Sequence, residues 1–135
     1  MHAPPRIKIC CIANPEEAAL AVSYGASALG LVSHMPSGPG VISEDEIAAI
    51  ADAVPPGVST FLLTSLTKPK EIIEQARRCR VNTVQLCHPV SSETVAKLRR
   101  ELPGVSLVVV IHVTGSIAVK DAAAAEHAQA IMLDS

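Results

Sequence analysis

Short runs rich in Val, Ile and Leu alternate along the whole chain with longer stretches of Ala, Glu, Lys and Arg. A run such as Val108-Val109-Val110-Ile111 is apolar at every position, as a strand buried on both faces of a parallel sheet must be. The intervening stretches repeat their apolar residues at helical spacing. Strands are therefore expected at Arg6–Ile12, Ala28–Ser33, Val58–Ser65, Asn82–Cys87, Ser106–Val113 and Ala130–Asp134. Helices fill the gaps at Pro15 to Gly25, Ser43 to about Val54, Thr67–Cys79, Ser92–Leu102 and Ser116 to about Gln129.

Local signals sharpen several of these ends. Asn14 can cap the first helix, with Pro15 at its first position and Glu16 and Glu17 in its first turn; Gly25 suits its stop. Ser43 and Glu46 have the spacing of a capping box, and Pro69 falls in a first turn.

Alternating strands and helices define an α/β chain, either an open doubly wound sheet or a closed barrel. The first strand-to-helix turn has no G-x-G-x-x-G or Walker loop, which weakens the nucleotide-binding open sheet. Polar residues at the strand C-termini favour a barrel, where active sites gather at that end. The expectation is one domain over residues 1–135, an incomplete (β/α)8 TIM-barrel type with six parallel strands and five helices. The Pro36-Ser37-Gly38-Pro39-Gly40 loop interrupts the pattern without acting as a linker.

Composition narrows the chemistry. Apolar residues make up 49% of the chain, yet aromatics are only 1% (Tyr24 and Phe61), so the core must be aliphatic. Without rings there is no stacking platform for single-stranded nucleic acid. A formal charge of −2 gives polyanions no broad attraction. The four cysteines lack framework spacing and read as reduced thiols of a cytoplasmic protein. The longest apolar run, residues 105–113, is far short of a membrane span. The expected partner is a small molecule, with neither nucleic acid nor membrane involved.

Four motifs, in order and at strand ends, carry a family resemblance. Lys8-Ile9-Cys10 with Cys11-Ile12-Ala13-Asn14-Pro15-Glu16-Glu17-Ala18 is similar to a K-[IV]-C-G-[IL]-[TR]-x-x-E-D-A opening. Gly25-Ala26-Ser27-Ala28-Leu29-Gly30-Leu31-Val32 resembles G-A-D-A-L-G-F-V, and Val84-Gln85-Leu86 begins V-Q-L-H-G. Ile131-Met132-Leu133-Asp134-Ser135 resembles L-L-D-S. Together they resemble the phosphoribosylanthranilate isomerase family of tryptophan biosynthesis. The resemblance implies an Amadori-type isomerisation of an N-phosphoribosyl arylamine, a phosphorylated sugar-arylamine substrate and no cofactor. It also implies that Cys10 is the base and Asp134 the acid. The acid protonates the ribose ring oxygen as the ring opens, and the base then takes the C2′ proton.

Strand alternation puts Lys8, Cys10 and Ile12 on one face of the first strand, with Ile7, Ile9 and Cys11 toward the helices. Gln85 shares a face with Cys87, and Met132 with Asp134. Lys8, Gln85, Gly38 and Gly40 are the candidate substrate-binding residues. A free thiol has a reference pKa of about 8.5, so base work by Cys10 asks for local lowering. Most free cysteines are simply small buried hydrophobes, and Cys11 is read that way. Cys87-His88 lacks paired ligand spacing, so no metal is expected.

The chain departs from the family pattern at Cys11, at Ala13 and at Cys87-His88, and at Pro39, where S-x-R would place an arginine. The G-G-T-G loop and last two β–α units that carry the family's phosphate site are not among the 135 residues, which alone are not expected to turn over the family's substrate. The alternatives are a re-purposed barrel that binds a phosphorylated metabolite, or an assembly subunit whose unpaired barrel edges are covered by a partner or by a second copy.

Overall fold

The computed structural model of the chain describes residues 2–115 and 125–134. Six strands run parallel in a single sheet in chain order: β1 (Lys8–Ile9), β2 (Ala28–Val32), β3 (Ser59–Thr64), β4 (Thr83–Leu86), β5 (Ser106–His112) and β6 (Ala130–Asp134). Helices α1 (Pro15–Ser23), α2 (Glu44–Ala53), α3 (Pro69–Cys79) and α4 (Ser92–Glu101) fill the first four crossovers. The expected fifth helix falls largely on residues 116–124, outside the described residues, and residues 125–129 form turns. Four helices are thus described where five were expected.

Local chemistry starts and stops these elements as anticipated. Asn14 Oδ1 accepts from Glu17 N at 2.8 Å, and Glu17 reaches back to Ala13 N at 2.8 Å. Ser43 and Glu46 close a reciprocal capping box. At the end of α1, Gly25 has φ +94, with bonds from Gly25 N to Val22 O and from Ala26 N to Ala21 O. That is a Schellman stop, which needs a residue at ease in the left-handed region. α3 begins at Pro69, not Thr67, because Lys68 at its cap is extended and lends it no side-chain bond. Proline leaves no unsatisfied donor at that first position.

Two interiors result. Leu29, Leu31, Leu62, Val84, Leu86, Leu107, Val109 and Ile111 meet Ile47, Ile50, Ile72, Val95 and Leu98 in one helix-side core. Burying each such side chain is worth roughly 1.5–3 kcal/mol. The alternate residues turn inward. Lys8 of β1 reaches Gln85 of β4 at 2.6 Å, although a flat sheet would hold those strands about 14 Å apart, three times the strand spacing. The sheet is therefore curled, as an open portion of a barrel.

β1 corrects the alternation. It is two residues long instead of seven, because Cys11 has φ +58 and its left-handed turn ends the strand. Past that turn the parity reverses. Ile12 is buried in the helix-side core with Ala18, not in the barrel interior, and Cys11 turns toward the barrel mouth. Backbone bonding to β2 continues only through Ile12 N to Gly30 O at 3.2 Å.

Among the described residues, β1 and β6 each pair on one side only. Ile7, Ile9, Leu20 and Tyr24 are exposed beside β1, where they border a groove of about 530 Å³; Ile131 and Leu133 are exposed on β6. None of the described helices is long and apolar enough to cross a membrane.

α2 and α3 are tied by Arg78, whose Nε and Nη2 donate to the two Glu44 oxygens at 2.6 and 3.2 Å; Gln75 adds a bond at 3.1 Å. The Arg78 hydrogen bond holds the Glu44 carboxyl below its ordinary 4.5. A depressed carboxyl stabilises the fold above its unfolded value and loses that contribution as pH falls through the folded one. Urea midpoints should therefore drop below about pH 4.5, and less steeply in Arg78→Met, where this contribution is absent already at neutral pH. Parallel acid limbs for the two proteins would refute the assignment.

Candidate active site

The C-terminal ends of the strands surround a cavity of about 250 Å³. Its wall includes Cys10 just past β1, Gln85 in β4, Cys87 just past β4, and His112 and Asp134 at the ends of β5 and β6. Ser37 and Pro39 of the loop after β2 close one side. Of the residues expected at the site, the structure thus brings together Cys10, Gln85 and Asp134.

Lys8 lies one layer lower, over the Phe61 ring at 4.8 Å, with its Nζ donating to Gln85 Oε1. Burial pushes its amine below the ordinary value of 10.5, while the thiols of Cys10, Cys87 and Cys11 pull the other way. Lys8 and Gln85 form the floor. Gln85 Nε2 in turn faces Cys87 Sγ at 3.8 Å, so each polar interior group has a neighbour. Burial raises the Cys87 thiol, with the Gln85 contact and Lys8 opposing that rise.

Two glycines shape the thiol end. A Cβ at Gly30 would sit 2.7 Å from Cys10 Sγ, closer than real contacts allow. A Cβ at Gly40 would lie 2.6 Å from Cys11 Cβ, and Gly40 has φ +85 as well. Gly40 therefore lets the loop lie against Cys11, whose Sγ is 3.7 Å from Pro39 O. The Cys11 thiol is raised, first by burial and then by the neighbouring Cys10. Gly38, with φ +105, has open space around it; Ser37 and Pro39, not Gly38 or Gly40, border the cavity.

From the sequence His112 could face the mouth from its strand end or be an ordinary loop or core histidine, and it was not counted among the site residues. Its Cα pairs with that of Asp134 in the β5–β6 register, and its Nδ1 is 3.7 Å from Asp134 Oδ2. Aligning the two strands by their C-terminal polar residues could have revealed it. Among the described residues no three His, Cys, Asp or Glu side chains are arranged to hold a metal ion.

Parallel β–α strands in chain order, curled around an interior whose polar groups gather at the strand C-termini, define a protein of the (β/α)8-barrel class. No family model matches the chain. It is 30% identical over 131 residues to N-(5'-phosphoribosyl)anthranilate isomerase of Methanocella arvoryzae, covering 96% of this chain and 62% of that protein. It is 40% identical over 81 residues to the enzyme of that name from Geobacter sulfurreducens, covering 60% of this chain and 39% of the relative. A crystal structure of phosphoribosyl anthranilate isomerase in complex with reduced 1-(o-carboxyphenylamino)-1-deoxyribulose 5-phosphate superposes with a TM-score of 0.85. That match has 27% identity and covers 97% of this chain and 65% of that one. Along 96% of its length the chain is similar to the phosphoribosylanthranilate isomerase of Methanocella, and it spans about 62% of the length of that relative.

The four thiols differ enough to be ranked. Cys10 is exposed, whereas Cys79 is buried in the helix-side core, and burial pushes its thiol up to about 12. Iodoacetamide at pH 8 should label Cys10 first and leave Cys79 unmodified until the chain unfolds, as read by peptide mass mapping. Labelling of Cys79 at the rate of Cys10 in the folded chain would contradict this packing.

Proposed function

We propose that the protein isomerises an N-(5-phosphoribosyl) arylamine by an Amadori rearrangement, with Cys10 as base and Asp134 as acid. The observation that carries this reading is that a thiol and a carboxyl from strands at opposite edges of the sheet border one cavity. The names of the relatives and the phosphorylated ribulose-arylamine bound in the solved one support the same chemistry. Asp134 gives its proton to the ribose ring oxygen, which takes the electron pair of the breaking C1′–O bond. The Cys10 thiolate then takes the C2′ proton, and the resulting enolamine becomes the ketose. Lys8 and Gln85 form the polar floor beneath the sugar, and Gly38 and Gly40 let the loop lie over its edge. Pro39 has no N–H to donate and stands where the family motif carries arginine, so the aglycone is specified only as an arylamine.

The test is turnover of N-(5-phosphoribosyl)anthranilate by the chain, and by the chain fused to the unmatched remainder of the Methanocella relative. Cys10→Ser and Asp134→Asn should each lower kcat by about 10²–10⁴-fold in the active form. Wild-type turnover in either variant would remove that residue from the mechanism. Sugar phosphate binding with no turnover in either form would favour a re-purposed barrel.

The exposed Ile7, Ile9, Ile131 and Leu133 favour a second reading that is compatible with the first, in which the sheet edges are covered by another copy of the chain. Sedimentation velocity should then give a dimer or larger species, and a monomer across the accessible concentration range would count against it.

A further inference from the structure

His112 closes β5 directly opposite Asp134, and Val113 N bonds to Asp134 O at 2.6 Å, so the backbones around the pair are joined. One ring nitrogen, Nε2, lies 3.3 Å from the Cys87 carbonyl oxygen. A carbonyl only accepts, so Nε2 must carry its hydrogen for that contact to be favourable. The other nitrogen, Nδ1, faces Asp134 Oδ2 at 3.7 Å. A bare Nδ1 lone pair facing a bare carboxylate would repel it. A proton carried by either member would make that approach favourable, as imidazolium with carboxylate or as imidazole with carboxylic acid.

We propose that His112 is a positioning residue that orients Asp134 and holds the proton Asp134 delivers; this rests on the reading of Asp134 as the acid. A solvated carboxyl gives up its proton near pH 4 and is a poor acid at neutral pH unless something keeps a proton at hand. His112 does so. The pair releases one proton to the ribose ring oxygen as the C1′–O bond breaks, leaves neutral imidazole and carboxylate, and is recharged from water. Among the described residues, the other titratable groups around the cavity are the thiols of Cys10 and Cys11 beyond β1 and of Cys87 beyond β4; Lys8 lies a layer below. None of these thiols can substitute for the imidazole, because none faces Asp134 in register.

The experiment has two arms. In the full chain, labelled with 15N, the His112 Nδ1 chemical shift at neutral pH should change in Asp134→Asn and in Asp134→Ala. It should return toward wild type in Asp134→Glu, while Nε2 stays in the protonated range throughout. Ring shifts that superimpose in all four proteins, with an otherwise native amide spectrum, would overturn the proposal. The second arm uses whichever form turns over. His112→Gln should lower kcat by about tenfold or more with KM changed less than about twofold, and added imidazole should restore part of the kcat of His112→Ala. Unchanged kcat, or a loss that imidazole does not touch, would also overturn it. A shared proton seen in the first arm without any turnover would leave the pair standing and defeat the isomerase reading instead.

Discussion

Burial of the four central strands, β2 to β5, on both faces is the constraint from which the rest of this structure follows. Each residue is assigned by parity either to an aliphatic core shared with the helices or to a smaller inner space. The helix side is mostly aliphatic: Leu29, Leu62, Val84, Leu107 and their neighbours leave almost no surface exposed. Lys8 and Gln85 fall in the inner space and satisfy one another there. The Lys8–Gln85 bond across the curl is the clearest result, linking the first and fourth strands. The same confinement gathers thiols, imidazole and carboxyl at the open end.

Most of the architecture was legible because the residues that set it act locally. Asn14, Pro15, Gly25 and the Ser43/Glu46 pair bound their helices through bonds to neighbours within a few positions. The β-branched runs needed no partner to be recognised as strands. Cys10 and Asp134 could be singled out because their strands end in motifs that resemble those of the isomerase family.

The rest depended on information held elsewhere in the chain. Cys11 has an L-residue side chain in the left-handed region, and nothing in its own composition signals this. Simple alternation therefore assigned Ile12 and Cys11 to the wrong sides. His112 could be seen to lie near a strand end, but its place beside Asp134 comes from the β5–β6 register, which pairs it with a residue twenty-two positions later. The loop glycines were singled out as candidate substrate-binding residues, whereas the structure makes Gly40 the place where Cys11 needs room.

Gly30 gives the thiol chemistry an unexpected address. The space around Cys10 Sγ is set not by the first strand but by a missing side chain on the second. Exchange of that one hydrogen for a methyl group would crowd the sulfur while leaving the thiol, the carboxyl and the whole helix-side core in the sequence. A descendant of this chain could thus crowd the proposed base through a neighbour, and a survey of such chains that checked only for the cysteine would count the crowded ones as intact.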